Sequence, residues 1–272
     1  LNGVIGGSIN DKLVNSLRYD SKTASLKYAN VFNVANIIMD GSAYIDQQID
    51  AHRQLQSLFA TAQVGYKDIF FLDLTARNDW SSTLAFTPNE KKGFFYPSVG
   101  GAWVMSKMFR LPEFISFGKL RAVWSKVGND IPLYITNPVS HVGAGGEIDS
   151  APFENMKPEM TTSVELGTEW RFLNDRISFS GTYYKTNTRN QFFKLPAKSG
   201  DKYAYRYVNA GDIQNIGWEV SASALPVVGK DFEWKSSLNY STNKNKVVRL
   251  HEELPVFIYG PRGFSSSYAM KL

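Results

Sequence analysis

Apolar and polar residues alternate along several segments of the chain, and a period of two predicts β-strands. Leu166 and Trp170 share one face of such a segment, while Glu165 and Glu169 share the other. The alternation is clear in segments 58–66, 120–125, 163–172, 177–183, 218–224 and 232–240, and weaker in 69–77 and 96–105. The chain is therefore predicted to be all-β, with about 9–11 strands.

The connections between these segments alternate in length. Short turns are predicted at 65–68, 173–176 and 226–231, with an intermediate connection at 106–118. Long connections cover 78–95, 128–160 and 186–213. Short periplasmic turns and long extracellular loops are typical of an up-and-down transmembrane β-barrel. The pattern therefore predicts part of an antiparallel membrane barrel.

The two faces of the predicted strands agree with a barrel, although a second architecture has the same alternation. Tyr66, Trp170 and Trp234 lie beside short turns, where an interfacial aromatic girdle would sit. In a barrel, Leu166 and Phe179 would face outward. In the alternative, a soluble cell-surface β-sandwich that binds glycans, the same two side chains would be buried.

Composition narrows the function classes. The chain contains 18 Phe, 14 Tyr and 6 Trp, which favour strands, and its formal net charge of +5 shows no clustering of the kind expected for nucleic-acid binding. There is no Cys, and the three His lack the spacing of metal ligands. No apolar stretch is long enough for a membrane-spanning helix. We therefore expect no nucleic acid, metal or cofactor.

No arrangement of residues predicts an enzyme. Glu165 and Glu169 share a strand face, but four residues of extended chain span about 13 Å. The paired carboxylates of glycoside hydrolases are about 5–9.5 Å apart. We expect no catalytic residues, and the two carboxylates are interpreted as charges that line the inside of a barrel.

Several short motifs follow one another between about residues 55 and 250. They are Tyr66-Lys67-Asp68, Arg77-Asn78-Asp79-Trp80-Ser81-Ser82, Phe95-Tyr96-Pro97-Ser98, Val127-Gly128-Asn129-Asp130, Glu165-Leu166-Gly167, Leu173-Asn174-Asp175-Arg176 and Asn209-Ala210-Gly211-Asp212. In this order the motifs resemble those of SusC/RagA-like TonB-dependent transporters. Trp80 stands where that family usually has Gly, and Tyr96 where it usually has Phe.

The resemblance implies a 22-stranded barrel in the bacterial outer membrane, filled by a plug and covered outside by a SusD-like lipoprotein. Such systems import glycans or peptides with energy that TonB delivers. Residues 1–272 would form part of one barrel domain, with the plug, the TonB box and the final strands expected outside this sequence. The expected partners are a SusD-like lipoprotein, the TonB complex, an oligosaccharide or peptide substrate, and the lipid bilayer. An outer-membrane barrel without an import role remains a further alternative.

Substrate contacts are expected at outer strand ends and loops, where aromatic rings offer stacking surfaces and polar side chains offer hydrogen bonds. The candidates are Arg77, Asn78, Asp79, Trp80, Asn129, Asp130, Tyr203, Tyr205, Tyr207 and Asn209. Two alternatives stay open. Arg77 and Asp79 would also suit a structural ion pair inside the barrel, and Asn209 would also suit a turn at the start of a strand.

Overall fold

The computed structural model describes residues 1–20, 26–31, 33–38, 44–133, 135–136, 148–151, 153, 156–196, 200–209, 211–249, 256–259 and 268–271. The strands in these residues are β1 (Asn2–Asp20), β2 (Tyr44–Tyr66), β3 (Phe70–Ser81), β4 (Phe94–Val104), β5 (Ile115–Asn129), β6 (Ile148–Ser150), β7 (Glu159–Phe172), β8 (Ile177–Arg189), β9 (Phe192–Pro196), β10 (Tyr203–Asn209), β11 (Asp212–Val228), β12 (Glu233–Arg249), β13 (Val256–Tyr259) and β14 (Tyr268–Lys271). A four-residue helix, α1 (Met105–Met108), and 3-10 turns at Val34–Asn36 and Ser82–Leu84 accompany them. No helix in the described ranges has the length and apolar character needed to cross a bilayer.

Nine strands form one sheet in the order β1-β2-β3-β4-β5-β7-β8-β11-β12. Each neighbouring pair of strands from β3 to β12 in this sheet is antiparallel. Strands that follow one another along the chain are therefore neighbours, as in an up-and-down barrel wall. Two smaller sheets are separate from this wall: β6-β10-β9, in which β6 and β10 run parallel, and the pair β13-β14.

The described chain divides into two compact units. The larger contains Leu1–Ser8 and Gln56–Leu272, and the smaller contains Ile9–Leu55. Within the smaller unit, Asn36 organises the turn after β1. Its amide nitrogen donates to the carbonyl oxygen of Tyr28 at 2.7 Å, and its side-chain oxygen accepts from the backbone N–H of the same residue at 2.9 Å. This reciprocal pair closes the local loop without any need for a hydrophobic core.

The strand register divides the larger sheet into two chemically distinct faces. One row of cross-strand partners runs Leu72, Gly101, Ala122, Leu166, Tyr183, Trp218 and Thr242. We call this side the apolar face. The next row runs Asp73, Gly100, Val123, Glu165, Tyr184, Gly217 and Asn243, and belongs to the polar face. Successive side chains of a strand point to opposite sides, so each single-residue step changes the face.

The apolar face is not covered by protein in the described chain. The exposed fraction is 51% for Leu166, 37% for Phe179 and 53% for Trp234. A soluble β-sandwich would bury these residues between two sheets. The structure instead shows one meandering sheet with its apolar side open, so the predicted all-β barrel wall is confirmed over the sandwich.

The long and short connections lie at opposite ends of the sheet. In the pair β7 and β8, the partners Phe172 and Ile177 flank a short turn. Their counterparts at the other ends of the two strands, Met160 and Arg189, each adjoin a long connection. The short turns occupy 67–69, 105–114, 173–176 and 229–232, and the longer connections of the larger unit run from β3 to β4, from β5 to β7 and from β8 to β11. The predicted alternation is therefore confirmed, and we call the long-loop end the outer end.

Strand β1 was not predicted by the alternation pattern. Within β1, Ile5, Ile9, Leu13 and Leu17 recur every fourth position on one face, and Val4 and Val14 lie on the other. That spacing suits one face of a strand as well as one face of a helix. In the structure this segment is a strand, because it pairs with β2 in the sheet. Every second residue of a strand lies on the same face, so a period of four means that every second position on that face is apolar.

The two faces predict opposite responses to an added charge. Leu166→Lys places an ammonium group on the apolar face and should destabilise the full-length protein by about 2–4 kcal/mol, because lipid cannot solvate the charge. Ser180→Lys is the matched control, since Ser180 lies on the polar face opposite Glu169. Urea unfolding in phospholipid vesicles measures the free energy of unfolding of both variants relative to the wild type. Equal losses of stability would contradict the assignment of the faces.

Candidate functional site

The long loops build a hydrophobic core of their own at the outer end of the sheet. The buried side chains Leu84, Phe94, Ile131, Ile135 and Met156 form one cluster, which we call the loop core. They come from the loop after β3, the first residue of β4 and the loop after β5. Half-buried residues from further segments pack against the cluster: Tyr96, Phe153, Phe192 and Tyr207. Burial of these apolar side chains joins loops that are distant in sequence into one structure.

Asp130 ties two of these loops together. Its carboxylate accepts hydrogen bonds from the Ser81 hydroxyl at 2.8 Å, from the Thr83 hydroxyl, and from the backbone N–H of Ile131 at 2.8 Å. The Ser81 hydroxyl also accepts from the backbone N–H of Thr83 and so caps the short 3-10 turn. A partly buried carboxylate with three donors is held firmly. The geometry gives Asp130 an anchoring role in the loop structure.

Asn209 uses its whole amide group to join the loops that flank β9 and β10. Its oxygen accepts from the backbone N–H of Lys157 at 2.7 Å, and its nitrogen donates to the carbonyl oxygens of Lys157 at 2.8 Å and Asn190 at 2.7 Å. Three hydrogen bonds leave little capacity for an outside ligand. The structure shows neither a substrate contact nor a local turn at a strand start for Asn209, because its amide bonds to backbone groups of Lys157 and Asn190.

Arg77 and Asp79 form an ion pair on the polar face. Arg77 Nε donates to Asp79 Oδ1 at 2.7 Å, and an Arg77 terminal nitrogen donates to the Ser57 hydroxyl at 2.9 Å. The Tyr96 hydroxyl donates to the other oxygen of Asp79, which is buried. The guanidinium group also lies 6.0 Å from the ring centre of Phe59. Both charges are therefore satisfied within the wall, as the ion-pair interpretation expected.

Asn78 and Trp80 lie on the opposite face of β3, because their parity differs from that of Arg77 and Asp79. Trp80 is 37% exposed and donates from its indole nitrogen to the carbonyl oxygen of Lys91 at 3.2 Å. The four consecutive candidates of this motif therefore do not form one surface. Single-residue alternation separates them into two pairs.

Asn129 lies at the outer end of β5, directly before Asp130, and its side chain is exposed. Its amide nitrogen donates to Glu159 Oε1 across the strand pair at a long 3.4 Å. The two neighbours differ in what holds them. Asn129 is available to solvent, whereas Asp130 is engaged in three hydrogen bonds.

The three tyrosines share one face of β10, which lies in the small sheet within the outer loops and not in the barrel wall. Tyr205 is 41% exposed, and the Lys194 ammonium lies 4.1 Å from its ring centre. Tyr203 has Lys202 at 5.0 Å from its ring centre. Tyr207 instead packs on the loop core, with its ring centre 6.3 Å from that of Phe192.

The ten candidates thus divide into residues whose side chains are engaged by hydrogen bonds or packing within the protein and residues whose side chains are open to solvent. Contact with a substrate stays a prediction for all ten; Trp80, Asn129 and Tyr205 are exposed, and Tyr203 is half-buried. The sequence analysis did not anticipate the loop core. The available signal was a scatter of large apolar residues such as Leu84, Ile131 and Met156 in otherwise polar loops.

The polar face also carries a groove of about 590 Å³ nearer the short-turn end. Lys119, Arg121, Glu169 and Arg171 line it together with serine hydroxyl groups. Arg171 pairs with Glu169 at 2.9 Å, and Arg121 donates to the Thr182 hydroxyl at 2.7 Å. Within the described ranges, no three His, Asp or Glu residues gather in a way that would hold a metal ion.

The anchoring role of Asp130 is testable by proteolysis of the full-length protein in outer-membrane vesicles. Asp130→Ala leaves three donors without their acceptor, which costs about 1–3 kcal/mol. We expect trypsin to cleave after the exposed Lys91 and Lys92 at least about fivefold faster than in the wild type. Asn129→Ala is the matched control and should be cleaved at the wild-type rate. Unchanged cleavage of Asp130→Ala would rule out the anchor.

The loop core predicts a separate loss of stability. Met156→Ala removes a fully buried side chain and should destabilise the outer loops by about 2–5 kcal/mol through the cavity it leaves. Phe86→Ala, in the same region but with a side chain that is 77% exposed, should change stability by less than about 0.5 kcal/mol. Hydrogen exchange of the loop amides measures both. Similar exchange in the two variants would contradict the core.

Three comparisons with known proteins agree with this architecture. The sequence model of the family described as TonB dependent receptor-like, beta-barrel, matches residues 2–256. TonB-dependent receptor P26 of Formosa agariphila is 32% identical over 213 residues, covering 72% of this chain and 21% of that protein. TonB-dependent receptor SusC of Bacteroides thetaiotaomicron is 28% identical over 234 residues, covering 76% of this chain and 23% of that protein.

A solved structure shows the same fold. A chain from the structure of the RagAB peptide transporter superposes with a TM-score of 0.71 at 16% sequence identity, covering 99% of this chain and 30% of that chain. The chain therefore spans roughly a fifth to a third of the length of the relatives and structures it matches. The family consists of outer-membrane transport proteins and not enzymes. The alternating wall, the opposed short and long connections and the family match together show that this chain belongs to the TonB-dependent receptor β-barrel family.

Proposed function

We propose that this chain forms part of the wall and outer loops of an active importer of nutrient glycans or peptides. The single observation that carries the proposal is the outer loop structure, held by the loop core over a wall whose inner side is polar. A water-filled interior with a structured outer mouth suits the passage of a hydrophilic substrate. A chain of the same fold belongs to the RagAB peptide transporter, which supports peptides as one of the two cargo classes.

The proposal extends to parts of the protein beyond these residues. A plug domain, a TonB box and the remaining strands would belong to the same longer protein, with residues 1–272 inside one barrel domain. The share of each relative that this chain covers supports that arrangement. A SusD-like lipoprotein would cover the outer mouth, and TonB would deliver the energy. An open sheet edge in lipid is costly, which also favours completion by further strands.

Within the described loops, Tyr203 and Tyr205 are the proposed substrate contacts. Their rings share one face of β10, and Lys202 and Lys194 hold a positive charge beside them. An aromatic surface with an adjacent cation can stack on a sugar ring and attract a carboxylate of an acidic glycan or peptide. Asn129, exposed on the polar face at the outer end of β5, would add a contact from another strand end.

The import function is tested in the native host with the full-length gene. We expect its deletion to abolish uptake of either a fluorescent oligosaccharide mixture or a fluorescent peptide mixture, and the affected mixture identifies the substrate class. A protonophore should stop the same uptake, because TonB-driven transport depends on the proton gradient. Uptake that depends on the gene but continues in the presence of the protonophore would instead indicate a passive barrel.

The tyrosine pair has its own prediction. The double variant Tyr203→Ala and Tyr205→Ala should lower uptake at limiting substrate by about tenfold, since each lost stacking contact costs of the order of 0.5–1.5 kcal/mol. Tyr240→Ala is the control, because Tyr240 lies on the apolar face of β12 opposite Val220. Uptake by the double variant at the control level would remove the tyrosines from the proposed site.

A further inference from the structure

The apolar face changes its chemistry at the outer ends of β8, β11 and β12. Tyr183 and Trp218 pair across the strands with ring centres 4.8 Å apart, and they are the outermost aromatic residues on this face of β8 and β11. The next row outward contains Lys185 and Lys244, which flank Ile216 as its cross-strand partners. The face therefore passes from aromatic to basic within one step of two residues.

The height of these lysines matches the outer boundary of a bilayer. On β12, Lys244 and Lys246 lie ten and twelve residues beyond Trp234, which adjoins a short turn on the same face. At about 3.3 Å per residue this is about 33–40 Å along the strand. A strand tilt of about 40° reduces it to about 25–30 Å along the membrane normal, and the apolar band of such barrels is about 25 Å tall. Both ammonium groups thus reach the headgroup level.

Among the described residues, no carboxylate balances the charge of these lysines. Lys185, Lys244 and Lys246 are exposed, and no carboxylate of the described chain pairs with any of them. In the described outer segments of β8, β11 and β12, the carboxylate on this face is that of Asp212, which lies 3.4 Å from Arg189. Three unpaired cations next to a lipid-facing surface attract anionic headgroups.

We propose that Lys185, Lys244 and Lys246 bind the phosphate groups of the glycolipid in the outer leaflet of the outer membrane. The ammonium groups each offer three donors to phosphate oxygens. The apolar surface directly below, which includes Leu238 and Ala222, would hold the acyl chains of the same lipid. The site faces the bilayer and is independent of the substrate that the barrel imports.

Native mass spectrometry of the full-length protein in detergent tests the site, with purified diphosphoryl lipid A as the probe. The triple variant K185Q/K244Q/K246Q should bind lipid A at least about tenfold more weakly, since a basic residue at a membrane surface contributes about fivefold. The matched control K67Q/K230Q/K235Q removes the same charge near the short turns and should keep wild-type affinity. Lipid A without its phosphates should bind the wild type as weakly as diphosphoryl lipid A binds the triple variant.

Two further arms keep the test decisive. Excess inorganic phosphate should not displace lipid A, because it lacks the acyl chains that contact the apolar face. If the triple variant does not assemble, the single variants K244Q and K246Q and the dephosphorylated lipid on the wild type provide the same comparison. The proposal is overturned if dephosphorylated lipid A binds the wild type equally well, if the short-turn control loses as much affinity, or if inorganic phosphate competes.

Discussion

A sheet with lipid against one face and water against the other has no dry interior between layers. This constraint governs the whole chain. Leu166 and Trp234 are exposed on the apolar face, and Glu165 one residue away belongs to the polar face, so neither side of the wall collects a protein core. The backbone hydrogen bonds between neighbouring strands and the match of each face to its solvent hold the wall together.

The same constraint explains why the hydrophobic core lies in the loops. Loops at the outer end extend beyond the bilayer into water, where apolar burial becomes a driving force again. Leu84, Ile131 and Met156 are the largest fully buried side chains described, and all three belong to long connections. Polar anchors support this core, with Asp130 and Asn209 joining segments far apart in sequence. The outer loops are therefore a packed structure in their own right, which positions the exposed Tyr205 beside the half-buried Tyr203.

The two kinds of alternation in the chain act at different scales. Alternation by single residues assigns Arg77 and Asp79 to the inside of the wall while Asn78 and Trp80 go to the other side, which separates a motif that looks contiguous in sequence. Alternation of loop lengths assigns the functional surface to one end. Where the apolar face reaches that end, it becomes basic at Lys185 and Lys244, as expected where hydrocarbon gives way to charged headgroups.

The sequence by itself determined the β class, the two faces and the opposition of short and long connections, because these depend on local periodicity and on the lengths between periodic segments. It also carried the ordered motifs that resemble the transporter family. Alternation alone did not identify β1, because a recurrence of apolar residues at every fourth position suits a helix equally well until a neighbouring strand is present. Only the tertiary structure decided that Asp130 and Asn209 are anchors, that Tyr207 packs on the loop core while Tyr205 is exposed, and that Leu84 meets Met156. Those roles depend on contacts between loops tens of residues apart, and no local pattern encodes which distant loop a side chain will meet.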